Sequence, residues 1–264
     1  MRSGGLGSDA RVIRAIAFDL FDTLVDQNHD RLMPVEVEGR KIGPTVPALH
    51  GHAVESAGIT LSLLEFAEEL GRIDRALRAD TIEQGIELAT LDRFVALATH
   101  LGCDAAFELA QALTEVHMGL LSDAVTVPEH HEAILTSLAL DYQLALCSNF
   151  THAPTARAIL SQAGFDAHLG PVVISEEIGI RKPRGEIFEA VHDAMALAPE
   201  EILHVGDSLE ADVSGAASVG MKTVWLTRRV HDPDATLSRF EGPRPDFALD
   251  DLMDLPVLVA RLAR

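Results

Sequence analysis

Short apolar segments recur along the chain, and turn residues bound each of them. They are VIRAIAF (12–18), YQLALC (142–147), PVVIS (171–175), EILHVG (201–206), KTVWLT (222–227) and a candidate sixth, DFAL (246–249). Short apolar runs without clean alternation are typical of strands buried on both faces of a parallel sheet. Helical patterns lie between them, at 153–164, 185–196 and 209–220. This alternation predicts an α/β fold with a doubly wound parallel sheet and right-handed crossovers.

The segment 28–128 does not follow this alternation. Its stretches LSLLEFAEELGRIDRAL, LDRFVALATHLG and AAFELAQALTEVHMGLL place apolar residues at helical spacing. Roughly a hundred residues without a clear strand are too long for a single crossover. We therefore expect an inserted all-helical domain at 28–128, a core formed by 11–27 and 129–264, and a flexible N-terminus at 1–10.

Polar residues follow the ends of three predicted strands. Asp19 comes after the first, Ser148 and Asn149 after the second, and Asp207 and Ser208 after EILHVG. A single polar residue at such a position is usually a turn former or a helix cap. The carboxyl ends of parallel strands line one edge of the sheet, where ligands bind in this kind of fold. Three such ends together predict a functional site.

Composition narrows the classes of partner. The 264 residues carry 41 acidic and 21 basic side chains, a net charge of −20, which opposes binding to nucleic acid. No apolar run approaches the ~20 residues that span a bilayer, and the N-terminus lacks the apolar core of a signal peptide. Two cysteines are too few for a disulfide framework. We expect a cytoplasmic protein without nucleic-acid or membrane partners, either a monomer or a homodimer.

Four motifs occur in a characteristic order. FDLFDTL, CSN, RKP and VGDSLEADVSGA follow one another along the chain. In this order they resemble the haloacid dehalogenase-like hydrolase superfamily, subfamily I, which carries a helical C1-type cap. The resemblance covers 12–26 and 130–250. It implies a Rossmann-like core with a mobile helical cap, supplied by the insertion, that closes over the site.

The resemblance also implies roles for individual residues. Asp19 would be the nucleophile and form an aspartyl intermediate. Lys182 would neutralise the nucleophile and the transferring group, and Ser148 would donate a hydrogen bond to the substrate. Mg²⁺ would be held by Asp19, the carbonyl of Phe21, Asp207 and Asp212. Substrate-binding candidates are Asp22, Thr23, Asn149 and Arg40, with Arg31 and Arg93 as further guanidinium candidates for an anionic metabolite.

Phe21 conflicts with one part of this pattern. Most phosphatases of the superfamily have a second aspartate at this position, which protonates the leaving oxygen and then activates water. The 2-haloacid dehalogenase branch has an aromatic residue there, because a halide leaves without a proton. That branch needs no metal, however, and generally has a serine–asparagine pair where this chain has Gly206 and Asp207. The two diagnostic positions therefore point to different reactions.

Three interpretations remain open. The proton could come from Asp22 or from a cap histidine, with His29, His50 and His52 as candidates. Alternatively, the leaving group needs no acid, as in an acyl phosphate, an anhydride or an activated ester. In the third interpretation the protein has lost efficient turnover and binds a phosphorylated ligand or a partner. The favoured function is a Mg²⁺-dependent phosphatase acting on a small phosphorylated metabolite, followed by a dehalogenase and then a non-catalytic binding protein.

Overall fold

The structure, a computed structural model, describes residues 12–262 without the side chain of His29. The predicted flexible segment 1–10 and the candidate acid His29 lie outside the described part. The strands are β1 (Ala15–Phe18), β2 (Asp26–Gln27), β3 (Val35–Val37), β4 (Arg40–Ile42), β5 (Val125–Thr126), β6 (Gln143–Ser148), β7 (Val172–Ile174), β8 (Ile202–Gly206), β9 (Lys222–Leu226) and β10 (Phe247–Leu249). The helices are α1 (Val46–Ala57), α2 (Leu63–Asp80), α3 (Thr90–His100), α4 (Ala106–Asp123), α5 (His131–Leu138), α6 (Ala153–Gln162), α7 (Ser175–Ile178), α8 (Gly185–Met195), α9 (Gly215–Ser218), α10 (Pro233–Arg239) and α11 (Leu255–Leu262).

All six predicted apolar segments form one parallel sheet. Its strand order is β10-β9-β8-β1-β6-β7, so the chain winds outward from β1 in both directions. The direction of winding changes beside β1, and a ligand crevice forms at the carboxyl ends of the strands at such a point. The first strand therefore delivers Asp19 to the centre of this edge.

Helices cover both faces of the sheet, as the doubly wound fold requires. Ile16 and Phe18 of β1 pack on one face, in a cluster with residues of α5, α6 and α11. Ala15 and Ala17 face the other side, where α8 and α9 pack. All four side chains are fully buried, because a central parallel strand has no solvent-facing side.

The insertion has a hydrophobic core of its own. Leu49 of α1, Phe66 of α2, Phe94 of α3 and Leu113 of α4 are fully buried in a cluster separate from those of the sheet. The amphipathic spacing of these helices is thus satisfied within the insertion. The antiparallel pair β2–β5 brings together the segments by which the chain enters and leaves it. The boundaries at 28 and 128 stay predictions.

The expectation of an entirely helical insertion is wrong in two places, since the short strand β5 also lies within 28–128. β3 and β4 form an antiparallel hairpin, in which Val37 pairs with Arg40. Its two loop residues, Glu38 and Gly39, have φ values of 49° and 76°. A two-residue hairpin turn with positive φ at both loop positions has a twist that matches the twist of the two strands.

No helix within residues 12–262 has the length and apolar character needed to cross a membrane. Cys103 and Cys147 are both free thiols.

Candidate active site

Lys182 joins the ends of β1 and β6 to the helical turn Leu209–Ser214 that follows β8. Its Nζ donates hydrogen bonds to Asp19 Oδ1 at 2.6 Å, to Asp212 Oδ1 at 2.6 Å and to the Cys147 carbonyl at 2.8 Å. The lysine side chain is only 2% exposed. Burial alone would lower the pKa of Lys182, but the charges of Asp19 and Asp212 raise it above its ordinary value. The ammonium therefore stays charged and holds the two carboxylates in place.

Asn149 fixes the backbone of Lys182. Its Oδ1 accepts from the Lys182 N–H at 2.7 Å, and its Nδ2 donates to the Lys182 carbonyl at 3.0 Å. Both ends of the amide are thus occupied by one residue of the RKP motif. These two hydrogen bonds position Lys182, and the substrate contact of Asn149 stays a prediction.

Asp212 is held by partners on every side. Besides Lys182, its Oδ1 accepts from His204 Nε2 at 2.9 Å, and its Oδ2 accepts from the Ser208 N–H at 3.0 Å. A Cβ at Gly206 would lie 2.2 Å from the Asp212 carboxyl carbon, so this approach requires glycine. Burial would raise the pKa of Asp212, but Lys182 and His204 outweigh it and lower the pKa below the ordinary value. Asp212 is therefore an anionic anchor for Lys182, and its role as a metal ligand stays a prediction.

Asp207 is the acid of this cluster for which the described residues show no ion pair with Lys182. One oxygen each of Asp19, Asp207 and Asp212 lie within 4.8 Å of one another. Burial and the repulsion of Asp19 and Asp212 raise the pKa of Asp207 to about 8. Burial likewise raises the pKa of Asp19, to about 6, although Lys182 opposes it. Crowded carboxyls with raised pKa values fit a hard divalent cation, which would bind the deprotonated forms.

Two buried hydroxyls at this edge lack partners. Ser148 Oγ and Thr23 Oγ1 are both inaccessible to solvent and have no hydrogen-bond partner among the described residues. A buried hydroxyl without a partner costs free energy. Ser148 lies at the end of β6, and the donation of its proton to a bound anionic group stays a prediction.

The ring of Phe21 packs against a second aromatic ring, that of Phe150. Its centroid lies 4.8 Å from that of Phe150, with the ring planes tilted by 36°. The half-buried ring packs against the core cluster that includes Phe18. This side chain has no proton donor. Phe21 and Asp207 therefore still point to different reactions, as in the sequence.

Asp22 shapes the loop after Asp19. Its φ is +56°, its carboxylate accepts from the Gln27 N–H at 3.1 Å, and Arg229 Nε lies 3.3 Å from the same oxygen. Arg229 also donates to the Gln27 carbonyl at 2.9 Å. The carboxylate thus closes a turn and pairs with an arginine, and its roles as substrate ligand or acid stay predictions.

The structure does not bring the arginines predicted from the cap to this cluster. Arg40 pairs with Glu68 on α2, Arg93 forms a two-bond ion pair with Asp74 at 2.5 and 2.6 Å, and Arg31 donates to the Asp123 carbonyl. Among the described residues, His50 makes no hydrogen bond to a residue of the active site. Its Nε2 lies 2.8 Å from the Leu61 carbonyl, within the cap. These groups are committed to contacts within the insertion or at its base.

One loop of the cap, residues 81–90, contacts the core beside Lys182. Glu87 on this loop is 1% exposed and accepts from Arg181 Nη1 at 3.0 Å and from the Ser175 hydroxyl. Thr90 Oγ1 lies 2.7 Å from Thr151 Oγ1 of the core. The cap is therefore seated against the RKP motif and the segment after β6.

Three residues of this region were not identified from the sequence. His204 is the single ring among aliphatic residues of EILHVG, a signal that could have been noticed. Glu87 and Arg229 lie in polar segments that carry no motif. Only the folded chain brings Glu87 to Arg181 and Arg229 to Asp22.

The chain is similar in sequence to two phosphatases and in fold to a solved dehalogenase structure. Phosphoserine phosphatase of Thermus thermophilus is 38% identical over 101 residues, which are 38% of this chain and 37% of that protein. Glyceraldehyde 3-phosphate phosphatase of Pyrococcus furiosus is 28% identical over 216 residues, 82% of this chain and 81% of the relative. A 2-haloacid dehalogenase from Pseudomonas syringae pv. Tomato DC3000 has the same fold, with a TM-score of 0.72 at 21% identity over 95% of this chain and 99% of that chain.

The first of these matches spans little more than a third of the phosphatase. The family match is longer: residues 13–220 fit the haloacid dehalogenase-like hydrolase model. That range includes β1, the insertion and the site from Asp19 to Asp212. The chain therefore belongs to the haloacid dehalogenase-like hydrolase family.

Proposed function

We propose that the protein is a cytoplasmic, Mg²⁺-dependent phosphatase that acts on a small phosphorylated metabolite with a good leaving group. The observation that carries the proposal is the crowding of Asp207 beside Asp19 and Asp212, which raises the pKa of Asp207 to about 8. Without a cation, the repulsion between these carboxylates destabilises their charged forms. A bound cation removes that repulsion, so the arrangement suits a metal-dependent reaction.

Asp19 is the proposed nucleophile. Lys182 holds its Oδ1 and keeps the carboxylate aimed, which leaves Oδ2 to attack phosphorus. The Asp19 oxygen–phosphorus bond forms as the bond from phosphorus to the leaving oxygen breaks. Water then attacks the phosphorus of this acyl phosphate, releasing inorganic phosphate and restoring the carboxylate. Ser148 donates its proton to an oxygen of the transferring group.

Mg²⁺ would be held by Asp19, Asp207 and the Phe21 carbonyl, and when bound it supplies charge neutralisation for the incoming phosphoryl group. Asp212, whose Oδ1 accepts from Lys182, is a further candidate ligand of the ion. Once deprotonated, the Asp207 carboxylate can bind the cation through one of its oxygens.

The leaving group determines the substrate class. Phe21 cannot protonate a departing alkoxide, and its ring is engaged with Phe150. A carboxylate or another weakly basic group departs without that proton. Acyl phosphates, anhydrides and activated esters therefore fit better than simple alkyl phosphates.

A dehalogenase is the second candidate, favoured by the aromatic Phe21 alone. In that reaction Asp19 would attack carbon and displace a halide. The acidic Asp207 opposes it, since a second carboxylate beside the nucleophile disfavours a departing anion in the absence of a cation.

One paired assay separates the two reactions. Purified protein is incubated with acetyl phosphate or p-nitrophenyl phosphate and, separately, with 2-chloropropionate, each with Mg²⁺ or with EDTA. The proposal predicts phosphate release that EDTA abolishes and Mg²⁺ restores, together with no chloride release. Asp19→Asn should eliminate the activity, whereas the exposed Asp166→Asn should retain it. Chloride release in EDTA would establish the dehalogenase instead.

A further inference from the structure

A second group of potential metal ligands lies apart from the catalytic carboxylates. We propose that His130, His131 and Asp251 bind one transition-metal ion of the Zn²⁺ class, in a site that ties the start of α5 to the segment before α11. A ring nitrogen of each histidine and a carboxylate oxygen of Asp251 lie within 4.8 Å of one another. We call these three residues the His-His-Asp cluster.

His131 is the residue that points to a ligand. It is fully buried, and its Nδ1 lies 2.8 Å from the Leu24 carbonyl. A carbonyl only accepts, so Nδ1 carries the proton and Nε2 keeps its lone pair. That Nε2 is buried with no hydrogen-bond partner among the described residues. A histidine whose second ring nitrogen donates to a backbone carbonyl has the arrangement that orients metal-ligating imidazoles.

The other two members are close and accessible. His130 Nε2 lies 2.8 Å from Asp251 Oδ1, and the two histidine rings are 4.7 Å apart in an edge-on arrangement. The Met253 N–H donates to Asp251 Oδ1 at 2.9 Å and orients the carboxylate. The side chains of His130 and Asp251 are 36% and 31% exposed, so an ion can enter from solvent.

Arg228 is the nearby cation that such a site must tolerate. Its Nε lies 3.9 Å from Asp251 Oδ2, but its two terminal nitrogens bind the carboxylate of Asp26. With neutral histidines, the charges of Asp26, Asp251 and Arg228 sum to −1, which leaves the surroundings favourable to a cation. At this distance Arg228 Nε makes no hydrogen bond to Asp251, so Oδ2 stays available to an ion.

The donor set indicates the class of metal. Two imidazoles and one carboxylate suit Zn²⁺, Co²⁺ and Ni²⁺, whereas Mg²⁺ prefers oxygen ligands throughout. Three protein ligands leave a position for water. Because Leu24 follows Asp19 in the loop after β1, an ion on His131 would also steady the loop that carries the nucleophile.

The test uses full-length protein stripped with EDTA and then supplied with excess Mg²⁺. Zn²⁺ binding is measured by calorimetry, and Co²⁺ is used as a probe whose visible absorption reports nitrogen ligands. We expect one Zn²⁺ per chain and a rise in melting temperature of about 2 °C or more at saturation. His130→Gln and Asp251→Asn should each weaken binding more than about tenfold. Asn at 251 keeps the acceptor for the Met253 N–H, so this variant should fold.

Two control variants assign the site. Asp207→Asn, which alters the catalytic carboxylates, and His231→Gln, which alters an exposed histidine, should both bind Zn²⁺ like the unmodified chain. The proposal is overturned if the chain binds no Zn²⁺ at tens of micromolar. It is equally overturned if Asp207→Asn abolishes binding while the two cluster variants retain it. Neither result depends on whether the protein hydrolyses phosphate.

Discussion

The ammonium of Lys182 lies 2.6 Å from Oδ1 of Asp19, and both side chains are largely withdrawn from solvent. The lysine belongs to the loop before α8 and the aspartate to the end of β1, so the contact depends on the whole sheet. It fixes one oxygen of the proposed nucleophile and leaves the other to react.

Replacing Lys182 by Met should damage both stability and catalysis. The change leaves Asp19 and Asp212 buried without their shared cation, and breaking a buried pair costs about 3 kcal/mol or more. We expect kcat for acetyl phosphate to fall by roughly 100-fold or more. Denaturant unfolding and steady-state kinetics measure the two effects.

Lys222→Met is the matched control. Its ion pair with Asp246 is half exposed, so the free energy of unfolding should change by less than about 1 kcal/mol. Equal losses in the two lysine variants would contradict the special position of Lys182.

Mg²⁺ affinity should depend on pH through Asp207. Burial and the repulsion of Asp19 and Asp212 raise the pKa of Asp207 to about 8 in the metal-free protein. Below that pH the cation must displace a proton, so affinity rises with pH from 6 to 8 by up to about tenfold per unit, then levels off. Calorimetry across this range measures the slope, and an affinity independent of pH would show that Asp207 is no ligand.

The same shift predicts how stability varies. A carboxyl whose pKa is raised from 3.8 to about 8 binds more protons in the folded state, so the metal-free protein loses stability as pH rises through this window. Mg²⁺ should remove that loss. The rise in melting temperature caused by Mg²⁺ should therefore be larger at pH 8.5 than at pH 6, and a rise of equal size at both would argue against metal binding at Asp207.

Phe21→Asp should extend the substrate range. The new carboxyl could protonate an alkoxide, an effect worth about 100-fold or more. We expect kcat/KM for a simple alkyl phosphate to increase relative to that for acetyl phosphate. Phe21→Asn loses the same contact with Phe150 without gaining an acid, and it should leave this ratio unchanged. An equal increase in both variants would mean that space, not proton transfer, limits the reaction.

Glu87→Gln should loosen the contact between cap and core. The buried carboxylate accepts from Arg181 and Ser175, and a hydrogen bond to a charged group contributes about 1.5–3 kcal/mol. Amide hydrogen exchange in the loop 81–90 should become faster. The exposed Glu83→Gln on the same loop should leave the exchange rates unchanged; a similar acceleration in both variants would contradict a role for Glu87 in seating the cap.

The sheet and the motif order could be predicted because their signals are local. Strands buried on both faces leave continuous apolar runs, and Asp19, Ser148 and Asp207 follow such runs directly. The hairpin β3–β4 was missed because its strands are short and largely exposed, although VEVEGRKI alternates and contains a turn.

The partners of polar side chains could not be predicted in the same way. Asn149 follows β6 and Asp212 lies in the helical turn after β8, and either could face a substrate or a cation. The structure shows them holding Lys182, since a buried ammonium needs its donors satisfied on several sides. The partner of Arg40 could not be predicted either, because the acid that pairs with it, Glu68, lies on α2.

The measurement closest to the central claim is the detection of a phosphoryl group on Asp19. Protein turning over acetyl phosphate with Mg²⁺ is quenched in acid, digested and mapped by mass spectrometry. We predict that the peptide containing Asp19 carries the phosphoryl group, and that EDTA or Asp19→Asn removes it. Phosphate release by a protein whose Asp19 is never modified, or modification of another residue, would contradict the account.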